Sequence, residues 1–361
     1  MAINIHFTDQ DWGRIENNWR AWWAGELDRP LVIIEGREQS TDIIPSEVRD
    51  FASNFPLDMS ANDVIDYYQA QLEAKRFYGD AWPKWWPNFG PGIGAAFLGA
   101  RLESRLDTVW FEPAVQKPIE ALSLNYSDAN MWWQRVQELT RTAVDRWGDQ
   151  VAVGHTDIGG NLDILASLHT TQQLLIELYD APDDVARLVG EVTPLWLRYY
   201  NELLDLTKLA GRGTTTWAPI WSPNRCYMLQ SDFSYMISSE MFERFVLPDL
   251  AACCESLDHA FYHLDGVGQI RHVNMLLSLE RLRGIQWIPG AGQPPPEAWL
   301  PLLSRIRAGG KLCQLYVTPE GARTIMQALG GRGFAFYIDQ AMSRDEADDF
   351  LGILAAANTS T

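Results

Sequence analysis

Residues 260–290 read "AFYHLDGVGQIRHVNMLLSLERLRGIQWIPG", and this stretch decides the fold. An apolar run closed by glycine is followed by a segment of helical period, and then by a second apolar run closed by glycine. That is a strand, a helix and a strand, with too much chain between the strands for a hairpin; such pairs lie parallel, joined by a crossover. Working outward, the unit repeats. Helix 238–258 precedes this stretch, helix 296–308 follows it, and "KLCQLYV" (311–317), helix 318–330, "GFAFYID" (333–339) and helix 343–356 complete the chain. Towards the N-terminus lie "PLVIIEG" (30–36), "VAVGHTD" (151–157), "GTTTWAP" (213–219) and "CYMLQSD" (226–232), with helices over 8–28, 60–79, 127–148, 171–180 and 183–207, the last interrupted by Pro194. "DTVWFEP" (107–113) reads as a hairpin arm. About eight short strands, apolar on both faces, predict an α/β protein built as a single (β/α)8 TIM barrel with an N-terminal helical extension. The extension and first barrel elements occupy 1–120 and the rest of the barrel 121–361. The glycines of "GPGIGAAFLG" (90–99) lack the following helix and acid of a dinucleotide fingerprint.

Composition narrows the partners. Net charge is -18, and no basic run exists, which argues against nucleic acid or an anionic membrane. The N-terminus has no apolar signal core, and no apolar stretch is long enough to span a bilayer, so a cytoplasmic protein is expected. Cys226, Cys253, Cys254 and Cys313 have neither metal-ligand nor disulfide-framework spacing. The 16 tryptophans cluster in "WRAWWAGE", "WPKWWP" and "TTTWAPIWSP", and part of them is expected to line a concave pocket.

In a barrel the active site lies at the C-terminal ends of the strands. Those ends carry Asp157, Trp217, Asp232, His263, Asp265, Gln286, Trp287, Gln314, Tyr316 and Asp339. His263 and Asp265 are two apart and so share one strand face. Such a pair reads as half of a metal site, as an acid–base pair, or as a structural hydrogen-bonded pair. Asp339 is the third possible ligand across the mouth. His155 and Asp157 repeat the spacing, and Glu112 reads as a solvated loop acid.

Three segments carry a resemblance. "SLHTTQQLLIELYDAPDDVARLVGEVTPLWLRYYNEL" (167–203), "DFSYMISSEMFERFVLPDL" (232–250) and "FYHLDGVGQIRHVNMLLSLERLRGIQW" (261–287) resemble, in order, segments of the uroporphyrinogen decarboxylase superfamily. The likeness covers roughly residues 150–340; the first 120 residues match loosely. It implies the same barrel. The superfamily's haem-pathway decarboxylases hold substrate carboxylates with an N-terminal arginine motif, for which "DRPLVIIEGREQS" offers only Arg29 and Arg37. Its corrinoid- and thiol-linked methyltransferases bind zinc through H-x-C and a later cysteine. Here the motif is H-x-D: His263 matches, Asp265 replaces the sulfur, and Asp339 falls near the late cysteine.

The resemblance therefore implies a methyltransferase acting on a small polar substrate, with zinc or another divalent metal on His263, Asp265 and Asp339, and with a corrinoid carried by a partner protein. His263, Asp265 and Asp157 are the catalytic candidates. Asp232, Trp217, Trp221, Gln286, Trp287, Gln314 and His155 are the substrate-binding candidates. The residues also admit a carbohydrate-active enzyme with paired carboxylates in a Trp-lined pocket, uroporphyrinogen-type decarboxylation, and a non-catalytic binding protein on the same fold.

Overall fold

The computed structural model describes residues 3–37 and 49–358. It is an α/β protein with a central, mostly parallel sheet. Seven strands pair in the order Lys75–Gly79, Leu31–Arg37, Phe334–Ile338, Leu312–Val317, Leu282–Ile288, His259–Asp265, Cys226–Gln230. All neighbours are parallel except Lys75–Gly79, which runs antiparallel to Leu31–Arg37. Beyond this sheet, Lys84–Trp85 pairs in parallel with Ala152–Val153, and His155 N–H donates to Thr215 O at 3.1 Å. These outlying strands are only two residues long, and among the described residues one unbroken ladder does not run around the molecule. Prolines at 83, 87, 219 and 223 remove ladder donors on both sides of them. The Lys84 ammonium replaces part of the missing ladder by donating to Thr216, Trp217 and Ala218 carbonyls at 3.0, 3.2 and 2.7 Å.

The helix Asp9–Ala24 starts at Thr8, whose hydroxyl accepts from Asp11 N–H while the Asp11 carboxylate accepts from Thr8 N–H. This reciprocal pair satisfies two of the free donors of the first turn. Its apolar face carries Trp12, Trp19, Trp22 and Trp23, all buried. They pack against Cys226, Phe261, Leu312 and Ala335, the opening residues of the strands. Trp22 Nε1 donates to Phe334 O at 3.0 Å and Trp23 Nε1 to Trp221 O at 2.9 Å, while the Trp23 ring stacks on His259 at 4.1 Å. The N-terminal helix thus stoppers the N-terminal end of the sheet with indole. These four are therefore not among the tryptophans expected to line a pocket: the N–H groups of Trp19, Trp22 and Trp23 find backbone carbonyls, and all four rings fill the core.

Other boundaries move for physical reasons. The helix expected over 60–79 ends at Glu73, because Lys75–Gly79 is captured as a strand by Ile33–Arg37. Pro194 does not interrupt the helix Pro182–Thr207. The segment 238–258 is two helices, Ser239–Phe245 and Leu247–Glu255, the second opening with Pro248. Val109–Pro113 does form a hairpin arm, with Ala100–Ser104. No described helix is long and apolar enough to cross a membrane.

Candidate active site at the strand ends

A polar row crosses four adjacent strands. Gln230 is in register with His263, His263 with Gln286, and Gln286 with Gln314. Register partners in a parallel sheet face the same side, so these four side chains form one rung inside the sheet. His263 Nδ1 hydrogen-bonds Gln286 Oε1, and Gln286 Nε2 donates to Gln314 Oε1. Gln230, Gln286 and Gln314 are buried and His263 half-buried.

One step further along the chain, Asp265 shares the His263 face, and Asp232 arrives from the turn after Cys226–Gln230. Asp232, His263 and Asp265 each offer a ligand atom within 4.8 Å of the other two. The two acids border a cavity of ≈ 340 Å³ lined also by Tyr235 and Met236 and by the turn after Leu282–Ile288. Trp217 meets the His263 ring edge-on at 5.2 Å.

More acids stand behind this trio. Asp163 accepts from Asp232 N–H at 3.1 Å and Phe233 N–H at 2.7 Å, which pins the Asp232 turn to the helix Asn161–His169. Gly160 permits that approach: a Cβ there would stand 2.2 Å from Gln230 O and 2.6 Å from Asp163 Oδ2. Asp157 is buried and accepts from Gly159 N–H at 2.9 Å. Burial, with the charge of Asp232 beside it, pushes the Asp157 carboxyl up to about 8. Burial and neighbouring carboxylates likewise raise Asp163 and Asp232, the latter beside Asp265. His263 is lowered by burial, against the opposing pull of Gln286, Asp265 and Asp163. Carboxyls raised in this way hold their protons to higher pH than free ones.

The structure gathers His263, Asp265 and Asp232 at one point, with Asp157, Gln286, Gln314 and Trp217 around them. It separates others. Asp339, expected as a third possible ligand, stands with Glu35, Lys75 and Tyr337 around a different cavity, of ≈ 460 Å³, and the acid that meets His263 and Asp265 is Asp232. His155 is fully buried and stacks on Tyr200 at 4.8 Å, beneath the helix Pro182–Thr207. Burial lowers it to about 4. Trp221 lies in the stoppered end, its Nε1 donating to Arg212 O at 2.7 Å. Trp287 is one residue from Gln286, so alternation turns it outward, where it meets Trp299 at 5.3 Å. Arg29 lies at the start of Leu31–Arg37, held by Asp80 at 2.6 and 2.9 Å, far along the strand from the acids. The Arg37 side chain and residues 38–48 lie outside the described residues. Glu112 pairs with Arg101 at 2.7 Å on the exposed hairpin.

Asp163 and Gln230 were missed from sequence. Asp163 reads as an ordinary acid in a helix's first turn. Gln230 had a signal: it stands two residues before Asp232 at the end of a strand.

No known protein-family profile matches the chain, and no curated protein does. Among solved structures, a methyltransferase from Methanosarcina mazei is similar, with a TM-score of 0.59, 11% identity, and 96% of this chain and 98% of that chain covered. At that identity the likeness speaks for the fold, and over almost the whole of both chains.

Proposed function

We propose that the chain is a methyltransferase of the uroporphyrinogen decarboxylase superfamily, acting on a small polar substrate at the C-terminal ends of its strands. On this reading the short strands at 84–85, 152–153 and 214–215 complete a (β/α)8 barrel. The observation that carries it is the convergence of Asp232 on His263 and Asp265, the two residues that occupy the H-x-C positions of the resembled methyltransferases' zinc motif. The full-length likeness to a methyltransferase supports the same class.

Two carboxylates and one imidazole are a chemically sound set for a divalent ion, harder than the thiolate set they replace. The donor set fits, because His263 has its other ring nitrogen held by Gln286, as metal-bound histidines require of a supporting partner. Bound there, a divalent cation would lower the pKa of the substrate's nucleophilic group and so favour its deprotonated form. The chain's own residues do the rest. Trp217 walls the site beside His263, Gln286 orients the imidazole, and Asp157 and Asp163 keep the surroundings acidic. The methyl donor on this reading is a corrinoid on a partner protein.

Two acids meeting a histidine at one point support this over glycoside chemistry, which needs two carboxyls facing each other across a bond. Arg29, engaged by Asp80, lends no support to haem-pathway decarboxylation. The test is elemental analysis of protein prepared without chelator, beside His263→Ala and Asp265→Asn. One divalent ion per chain in wild type, lost in both variants, is expected. No stoichiometric metal, with methyl transfer unaffected by chelation, would overturn the metal-dependent reading.

A further inference from the structure

The polar row beneath the acids is directional. Gln286 has one oxygen and two amide hydrogens. The oxygen faces His263 Nδ1, and the amide nitrogen donates to Gln314 Oε1. With its nitrogen turned to Gln314, Gln286 presents to His263 a carbonyl oxygen that can only accept, so His263 Nδ1 carries the proton. The lone pair then sits on Nε2. Gln286 and Gln314 are fully buried side chains on adjacent strands at one register level, so no solvent competes for the bond between them. The chain ends at Gln314, whose Nε2 has no partner; nothing beyond it feeds a hydrogen back to reverse the direction.

We propose that Gln286, braced by Gln314, is a positioning residue that locks His263 in the Nδ1–H tautomer and presents its Nε2 lone pair to the cluster formed with Asp232 and Asp265. The inference concerns the tautomer and needs no metal; only its consequence for ligation rests on the function proposed above. Without Gln286 the imidazole has no fixed acceptor at Nδ1, and its proton is free to move to Nε2, which removes the donor atom from the site.

The test uses the full chain labelled with 15N at histidine, metal-free and at a pH where His263 is neutral. Two-bond 15N–1H spectra assign the protonated nitrogen, with His263→Gln identifying the resonances. Wild type is expected to show His263 protonated at Nδ1. Gln286→Glu, which keeps an acceptor, retains that pattern; Gln286→Leu, which removes it, moves the proton to Nε2 or yields a mixture. Circular dichroism and the unchanged signals of His155 and His272 report an intact fold in each. Wild type protonated at Nε2, or a Gln286→Leu pattern identical to wild type, would overturn the proposal. Titration with Co2+ separates the two readings. A roughly 10- to 100-fold weaker affinity in Gln286→Leu and not in Gln286→Glu supports the ligation role. Wild type that keeps the Nδ1–H tautomer yet binds no Co2+ sinks the metal site and leaves the positioning role standing.

Discussion

Asp157 shows the cost of the site most directly. It is buried, its neighbours are acids, and its carboxyl rises to about 8. In the unfolded chain the same group ionises near pH 4. Below that pH both states are protonated and Asp157 costs nothing. Between about 4 and 8 the unfolded state releases the proton and the folded state keeps it, so stability falls as pH rises and levels off above 8. Asp157→Asn has no proton to lose. In metal-free protein, urea midpoints from pH 5 to 9 are expected to fall less steeply for Asp157→Asn, which becomes the more stable form at pH 9. Parallel slopes for the two proteins would show that Asp157 is not the group responsible. This asparagine leaves the Gly159 contact possible, so the comparison isolates charge.

Strand alternation divided the candidates. Gln286 and Trp287 were both placed at the site by sequence, yet consecutive strand residues face opposite ways, and only Gln286 points to His263. The same rule applied across strands exposes the Gln230 rung. Gly284 belongs to this element for a different reason. A Cβ there would stand 1.9 Å from the Phe261 ring, itself wedged against Trp22. Gly284→Ala is therefore expected to destabilise by about 1–3 kcal/mol or more as the ring is forced aside, read by urea denaturation. Trp287→Phe should lower stability and leave Co2+ affinity within twofold, while Trp217→Ala, at the His263 edge, should change the affinity of any ligand of the cavity.

For the whole molecule, the two ends of the sheet do different work. The N-terminal end is stoppered by Trp19, Trp22 and Trp23, and the C-terminal end is left open and acidic. Trp22→Ala is expected to cost about 3–5 kcal/mol by opening a cavity in that stopper, with no change at the acids. Asp80 ties the same end together, accepting from Arg29, Val32 N–H at 2.9 Å and Asn18 at 2.8 Å. Asp80→Ala should cost about 3 kcal/mol, the low end for a broken buried pair because Arg29 reaches solvent. Thermal unfolding that moved by less than a degree in either variant would contradict this account.

Much of the fold was legible because strand and helix periods are local. The run of strands and helices from 226 to 356, the Thr8 cap, the 109–113 arm and the inward pairing of His263 with Asp265 all follow from nearest-neighbour chemistry. What only the tertiary structure decided depends on residues far apart in sequence. Which acid joins His263 and Asp265 was settled by the turn that Asp163 holds in place, bringing in Asp232 and leaving Asp339 with Glu35. Whether a tryptophan lines a pocket or fills a core depends on which carbonyl its N–H can reach, and those of Trp22 and Trp23 lie 312 and 198 residues away. Periodicity assigns a side chain to a face; only packing assigns the face to solvent, core or site.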